Sequence, residues 1–492
     1  MNNSREVEKL LSALLKETIF ERKTYAVGGY VRDEYLGLEP KDLDIVVDVE
    51  NGSEKIVQFI FSQLGRNKVT TPVQMGNYPI WQITFRSNVE YEDREYDVDG
   101  AVVEFAVPMK ESYPDDLSRQ RSVEVGTLEE DVRRRDFTTN MLYKDITSGQ
   151  ILDLAGTSKL DIDNKVIRSH PGVMSDNMFS DDPLRMLRLI RFSCKYGWEI
   201  PEDMMESVKR NAQRIDIISR ERIMEELKKV MVMGKLKEAI IFMDETGLLS
   251  LILPEISDLK NIQQDERHHP EGDVFQHTLL VLENAKPTVE AQMAALLHDV
   301  GKLDTYVEDE KGIHFYGHDD SGAKKAEEIL RRLKFDGDTI NRISDMIELH
   351  MRPHRMDSSS SKAIRKFIRD AGDNLENVLD LAEADQLGRE GISKADIPDL
   401  REKIKNMKIS TPPVTDKTVL SGEEIMELLN IPAGRKVGEI KKFLIDLQDD
   451  YAVRGEELSK EDAREAVLDK FSEDLQIEKN HHIRGRRYAG WR

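Results

Sequence analysis

Asp42 and Asp44, in the run DLDIVV, are the first side chains whose spacing could do chemistry together. The run has strand character, so positions two apart point to the same face and set two carboxylates side by side. Such a pair repels unless a cation lies between its members. Mg²⁺ is the natural choice, a hard ion that takes oxygen ligands and shares them with substrate phosphates. Two such ions serve an in-line displacement at phosphorus, activating a hydroxyl and stabilising a departing pyrophosphate. The plainer alternative is two solvated residues on the wet face of an edge strand. Just upstream, Gly28 and Gly29 end another strand run and precede a short helix. Missing side chains there let backbone N–H groups approach a phosphate. Arg32 and Asp33 follow at once.

A second polar block, DVRRRDFTTNMLY, occupies residues 131–143. Arg134 and Arg135 suit phosphate oxygens, and Asp136 and Asn140 suit ribose hydroxyls. Read alone, the block could equally be a basic loop before a helix start capped by Asp136. Farther on, Arg185, Arg188, Arg191 and Lys195 recur every three or four residues and share one helix face, opposite Leu187 and Ile190. Asp182 and Arg185 are neighbours at i and i+3. Cytosine and adenine each show an amino donor beside a ring-nitrogen acceptor, which one carboxylate plus one guanidinium can match. Uracil and guanine reverse that order and leave the protein groups unpaired. An ordinary amphipathic helix with a solvated arginine face is the alternative.

A different chemistry begins with His277, near the start of a helical run, and His298-Asp299, at the end of another. His318, His350, His354 and Asp385 follow. Lone histidines are usually core or surface residues. This density, mixed with carboxylates between packed helices, suits a transition metal or Mn²⁺ better than a pure oxygen site would.

The elements that must position these groups differ along the chain. Residues 24–153 carry the runs TYAVGG, DLDIVVDV, YPIWQITF and AVVEFAV, with a helical stretch over 55–64, which predicts a small α/β head on a mixed sheet. From residue 181 apolar residues recur at helical spacing, with one hairpin predicted over 306–316. The expected fold class is α+β. Four parts are expected: a head at 1–153, a helical neck at 154–257, a histidine-rich helical domain at 258–409 and a helical tail at 410–492. Polar or proline-bearing stretches at 258–272 and 410–418 mark the later boundaries. The chain of 492 residues has no apolar run long enough to span a bilayer, and its start lacks the blocks of a signal peptide, so a cytoplasmic protein with no membrane partner is expected. Cys194 is the single cysteine, which excludes an internal disulfide and predicts a packing role. The net charge of −22 opposes nucleic-acid binding on average. Basic residues nevertheless cluster at 133–135, at 185–195 and in the tail HHIRGRRYAGWR, which keeps RNA compatible.

GGYVRDEYLG followed by DLD resembles the head of the class II tRNA nucleotidyltransferase and bacterial poly(A) polymerase superfamily. The resemblance implies that Asp42 and Asp44 bind catalytic Mg²⁺ and that Gly28, Gly29 and Arg32 lie at the triphosphate. It also implies a third acidic residue on a later strand, for which Glu104 is the candidate. RRRDFTTNM resembles the RRDFTxNA element, which lends Arg135, Asp136 and Asn140 a nucleotide-binding role, with Met141 where a small residue is usual. SDDPLRMLRLIRF resembles the EDxxR element that templates nucleotide choice in CCA-adding enzymes. Asp181 stands in the Glu position, and Asp182, Arg185, Arg188 and Arg191 fall on the nucleotide-binding side. IISRERIMEEL resembles the helical element that follows.

The histidine block resembles the HD phosphohydrolase domain fused to some of these enzymes. There His277, His298, Asp299 and Asp385 would bind Ni²⁺, Mn²⁺, Co²⁺ or Mg²⁺, while His318 and His350 would complete a second site or line a phosphate pocket. A degenerate HD fold that only carries tRNA is the alternative. In the closing module, Gly434, Arg435 and Lys436 would meet an RNA phosphate, the alternative being a simple helical hairpin packed on its neighbour. The function implied is addition of CMP and AMP from CTP and ATP to the 3′ end of tRNA, with HD-domain phosphohydrolysis. The alternatives are an A-adding enzyme or poly(A) polymerase, or an HD-type cyclic-nucleotide hydrolase with an inactive head.

Overall fold

The computed structural model describes residues 3–112, 122–265, 272–310, 312–356, 359–389, 397–410, 414–415 and 417–472. The basic tail HHIRGRRYAGWR lies outside the described residues. The chain forms two compact units, residues 1–257 and 258–492. Among the described residues no helix is long and apolar enough to cross a membrane.

The strands of the first unit are β1 (Thr24–Val27), β2 (Asp44–Val47), β3 (Val73–Gln74), β4 (Ile80–Thr84), β5 (Val89–Tyr91), β6 (Arg94–Tyr96), β7 (Val102–Ala106), β8 (Met109–Ser112), β9 (Ser122–Val125), β10 (Leu142–Asp145) and β11 (Ile151–Asp153). Seven of them make one mixed sheet in the order β11-β10-β1-β2-β7-β4-β3, and β5-β6 and β8-β9 are separate hairpins. Only β2 and β7 pair in parallel within that sheet. The helix Gly52–Leu64 covers it with Ile56, Val57 and Ile60, spaced to share one face, and stops at Gly65, whose φ of 77° few other residues adopt. All four strand runs expected from sequence form strands.

Two features differ from expectation. The strand bearing Asp44 starts at Asp44 itself, so Asp42 precedes it and strand alternation does not aim its side chain. The cause is the neighbouring strand, which pairs Val27 with Asp44 and then leaves the sheet at Gly28, with φ of 70°. β10, between β11 and β1, has no strand-like signal in LYKD. It tolerates the buried Lys144 because Glu8 and Glu34 reach its ammonium at 2.6 and 2.7 Å.

After the sheet the chain continues in the helices Ser175–Asp181, Leu184–Tyr196, Glu202–Asn211, Arg220–Met231 and Leu236–Glu245. Leu184–Tyr196 ends at Gly197 in the left-handed region and packs on Arg220–Met231, which starts where the Ser219 hydroxyl accepts from the Arg222 amide. Burial pushes the Cys194 thiol up to about 12.

The second unit centres on Val274–Asn284, Val289–Leu297, His318–Arg332, Gly337–Leu349 and Leu375–Leu387, which pack on one another. Asp273, Thr288 and Asp336 fix three of the starts by accepting from backbone amides. The expected hairpin forms from Tyr306–Asp309 and Gly312–Phe315. Helices Gly422–Leu429 and Arg435–Val453 build a further small core around Ile425, Ile440 and Leu444. Arg365 and Arg369 hold the buried Asp449 of the latter helix.

Candidate active site and metal centre

The parallel pairing of β2 and β7 sets Asp44 opposite Glu104. Asp42, Asp44 and Glu104 are all exposed, and none makes a hydrogen bond or ion pair among the described residues. The Asp44 carboxyl is pushed above its usual range by the protein wall around it. Glu104 and Asp42 add to the rise, and Arg135 opposes it. Uncompensated negative charge at neighbouring positions fits a divalent cation. A cavity of about 400 Å³ opens here, lined by Asp44, Glu104, Tyr78, Ile80, Ala106, Arg134 and Arg135.

Arg135 is aimed by three contacts. Its Nε donates to the Tyr143 hydroxyl at 2.9 Å, its guanidinium lies over the Tyr143 ring, and its Nη2 donates to Asp131 at 2.9 Å. Asp131, fully buried, also accepts from Arg134 Nε at 2.8 Å, from the Met109 amide at 3.1 Å and from the Tyr143 hydroxyl. Burial would raise its carboxyl, yet the two arginines hold it below the usual range. A Cβ on Gly28 would lie 3.6 Å from Arg135 Nη1, so the glycine is required by its φ of 70° rather than by space.

Arg32 is not in the open bay. It is buried against the rings of Phe192 and Tyr196, with its Nε donating to Asp33 at 2.8 Å and its Nη1 to Asn140. Asn140 donates in turn to Asp136 at 2.9 Å, and Asp136 accepts from Arg188 Nε at 2.9 Å. Burial opposes the charge of Asp136, but Arg188 and Asn140 hold its carboxyl well below the usual range. A continuous chain, Arg32–Asn140–Asp136–Arg188, therefore joins the helix Gly29–Tyr35 to Leu184–Tyr196. The arginine face of Leu184–Tyr196 is turned inward. Arg185 is buried, donating to the carbonyls of Met178 and Arg134 at 3.3 and 2.6 Å, and Arg191 reaches Glu226 at 2.5 Å. Asp182 accepts from the Leu184 amide at 3.2 Å and lies 3.7 Å from Arg222. Asp182 and Arg185 thus have different side-chain partners.

In the second unit, five histidines and two aspartates converge. His298, His318 and His350 each set Nδ1 against a backbone carbonyl, of Ala295, Phe315 and Ile347, at 2.8, 2.8 and 2.6 Å. A carbonyl only accepts, so Nδ1 carries the proton and each Nε2 lone pair faces the centre. His277 Nε2 stands 3.0 Å from Asp385 and 3.3 Å from His298 Nε2. His318 Nε2 is 3.5 Å from Asp299. Two sets, His277/His298/Asp385 and Asp299/His318/His350, each bring one ligand atom per residue within 4.8 Å of the others. The buried His350 Nε2 has no hydrogen-bond partner among the described residues, and burial with the nearby His298 and His318 keeps its ring neutral. Inward lone pairs beside carboxylates are a donor set that fits a metal ion.

Sequence reasoning named His354 without a role and missed Lys302 and Arg389. Lys302 lies 2.7 Å from Asp299 and donates to Gln264 at 2.6 Å, and Arg389 and His354 both sit on Asp385. Gly301 lets the turn after Asp299 meet the helix His318–Arg332, since a Cβ there would lie 2.1 Å from the His318 carbonyl oxygen.

Three family models match: the poly A polymerase head domain over residues 24–168, a probable RNA- and SrmB-binding site of polymerase A over 197–260, and the HD domain over 274–390. The multifunctional CCA protein of Actinobacillus pleuropneumoniae is 31% identical over 404 residues, covering 76% of this chain and 87% of that one. The chain belongs to the tRNA nucleotidyltransferase and poly(A) polymerase superfamily, with a fused HD domain. The CC-adding tRNA nucleotidyltransferase of Thermus thermophilus is 28% identical over 461 residues, covering 91% of this chain and 93% of that one. The Bacillus stearothermophilus CCA-adding enzyme solved with CTP shares the fold, with a TM-score of 0.62 at 19% identity over 98% of this chain and 100% of that one. Within the superfamily's head, the groups missed from sequence are Asp131 and Tyr143. The signal for Asp131 was present, an acid three and four residues before the two arginines it holds.

Proposed function

We propose that this chain adds CMP and AMP from CTP and ATP to the 3′ end of tRNA, completing or repairing the CCA terminus without a nucleic-acid template. The observation that carries the reading is the register of Asp44 against Glu104 beside a fixed Arg135, an unpaired acidic pair facing an aimed cation. Asp42 and Asp44 would hold Mg²⁺, with Glu104 as the third carboxylate. Mg²⁺ held there would neutralise charge on the triphosphate and make the RNA 3′-hydroxyl easier to deprotonate. The bond from the 3′-oxygen to the α-phosphorus forms as the bond to the bridging oxygen breaks. Pyrophosphate leaves, and the hydroxyl proton passes to solvent.

Gly28, Gly29 and Arg135 meet the triphosphate, and Arg32 acts from behind by fixing Asn140. Asn140 and Asp136 would meet the ribose, and Asp182, with Arg185, Arg188 and Arg191 of the helix Leu184–Tyr196, would read the base edge on exchanging their present partners for it. The working parts are a head at 1–153, a neck at 154–257, an HD domain at 258–409 and an RNA-binding tail at 410–492, in a cytoplasmic protein.

Addition of the two cytidylates alone is favoured as a second reading by the likeness to the Thermus enzyme across most of both chains. Incubating the protein with tRNAs lacking all three terminal nucleotides, lacking only the terminal A, or complete, then sequencing the products made with each nucleotide, decides between them. CCA addition requires AMP on the RNA ending in CC.

The HD cluster supports a second, hydrolytic activity on a small phosphoester such as a 2′,3′-cyclic phosphate. Ni²⁺, Mn²⁺, Co²⁺ or Mg²⁺ held by His277, His298, Asp299 and Asp385 would supply a hydroxide at neutral pH. His318 and His350 complete a second ligand set with Asp299, and Lys302 faces the departing charge.

A further inference from the structure

Addition at a growing end places a demand on the acceptor side of the site. The terminal base is the last base of the tRNA body at the first step and C at the next two, so a pocket reading one base's hydrogen-bonding edge would fit some acceptors and reject others. A flat aromatic face accepts every base, because each has a π surface.

The cavity beside the catalytic carboxylates holds one such face. Tyr78 lines it together with Asp44, Glu104 and Arg135. The residue is 47% exposed, and among the described residues it makes no ring contact and its hydroxyl no hydrogen bond. This exposure is not that of a loose loop. The Met75 amide donates to the Ile80 carbonyl at 2.9 Å, Gln74 Nε2 donates to the Tyr78 carbonyl at 3.0 Å, and the Ser53 hydroxyl donates to the Pro79 carbonyl at 2.9 Å. The backbone is pinned on both sides of a ring left facing the cavity.

Position in the sheet separates this ring from the nucleotide-binding groups. Arg135 leans on Tyr143 of β10 and approaches Gly28 at the end of β1, to one side of β2. Tyr78 precedes β4, which follows β7 on the other side. A transfer needs two nucleotides flanking the reacting phosphorus, and with the triphosphate on the β1 side the acceptor comes from the β4 side. Resting on the transferase reading above, we infer that Tyr78 is the platform on which the terminal base of the acceptor RNA stacks, setting its 3′-hydroxyl over Asp44 and Glu104.

The test uses the full chain and a tRNA lacking its last nucleotide. Tyr78→Ala raises the KM for acceptor RNA about tenfold and leaves the nucleotide KM unchanged, as loss of one base–aromatic stack predicts. Tyr78→Phe, which keeps the ring, behaves as the parent. With 2-aminopurine as the RNA's terminal base, binding to the parent without nucleotide quenches its fluorescence, and binding to Tyr78→Ala does not. Should Tyr78→Ala fail to fold by circular dichroism, Tyr78→Leu, of similar bulk but no π face, takes its place. A rise in nucleotide KM instead, parent-like kinetics in the Ala variant, or a Phe variant as impaired as Ala overturns the inference. A parent that adds no nucleotide to any RNA end sinks the transferase reading itself, a result distinct from all of these.

Discussion

Asp131→Asn should be a strongly damaging near-isosteric change in the head. Asp131 is fully buried and accepts from two guanidinium groups, a backbone amide and the Tyr143 hydroxyl. Asparagine keeps one acceptor oxygen but presents an amide to cations that have little solvent to turn to, since Arg134 and Arg135 side chains are only 22% and 17% exposed. Breaking a buried pair by removing one charge costs about 3–5 kcal/mol, and the retained oxygen puts this case near about 3. In a unit of this size that is a fall of roughly 6–12 °C in its melting transition. Arg135 would also lose its aim, and a misplaced phosphate contact should lower kcat/KM for nucleotide about tenfold to a hundredfold. Calorimetry of the whole chain checks the first effect and steady-state kinetics the second. The sign of the pH dependence follows from the depressed carboxyl of Asp131. Its stabilisation is present above the ordinary carboxylate range and lost as pH falls through the folded value, so the gap between parent and variant should close in acid. A variant melting with the parent at neutral pH, with unchanged kcat/KM, would refute the claim that Asp131 holds the arginines in place.

Asp44→Ala or Asp42→Ala should abolish nucleotide addition and leave the fold intact, because each carboxylate is exposed; retained addition at ordinary Mg²⁺ by either variant would remove the metal-site assignment. Arg185→Ala should lose the preference for CTP and ATP over UTP and GTP by more than it loses rate, on the order of 1–3 kcal/mol of discrimination, and unchanged selectivity would move base reading to other residues. Hydrolysis of a 2′,3′-cyclic nucleotide, tried with Ni²⁺, Mn²⁺, Co²⁺ and Mg²⁺ in turn, should vanish in Asp299→Ala and persist in Asp42→Ala, whereas no turnover by the parent with any metal would leave the HD domain as a scaffold.

Local spacing carried most of the architecture. Alternation in DLDIVV and AVVEFAV marked β2 and β7, and the three- and four-residue recurrence in the arginine run marked its helix, because strand and helix periods are fixed by backbone geometry within a few residues. The chemical types were legible for the same reason, since Asp42 with Asp44, and His298 with Asp299, are neighbours in the chain itself. What sequence could not fix was every relation between distant segments. The register that brings Glu104 beside Asp44 depends on a parallel pairing across some sixty residues. β10 carried no strand signal because its buried lysine is satisfied by Glu8 and Glu34, contributed by two helices far earlier in the chain. Periodicity gave the arginine face of Leu184–Tyr196 but not its direction, and only the packed structure turns it inward against Asp136 and Glu226. Likewise the histidines were countable from sequence, while the aim of three Nε2 lone pairs rests on the carbonyl each Nδ1 meets, and the grouping into two ligand sets on distances that the fold sets. Periodicity is a property of the local backbone. Partnership is set by which surfaces exclude water together, and that is decided only when the chain is folded.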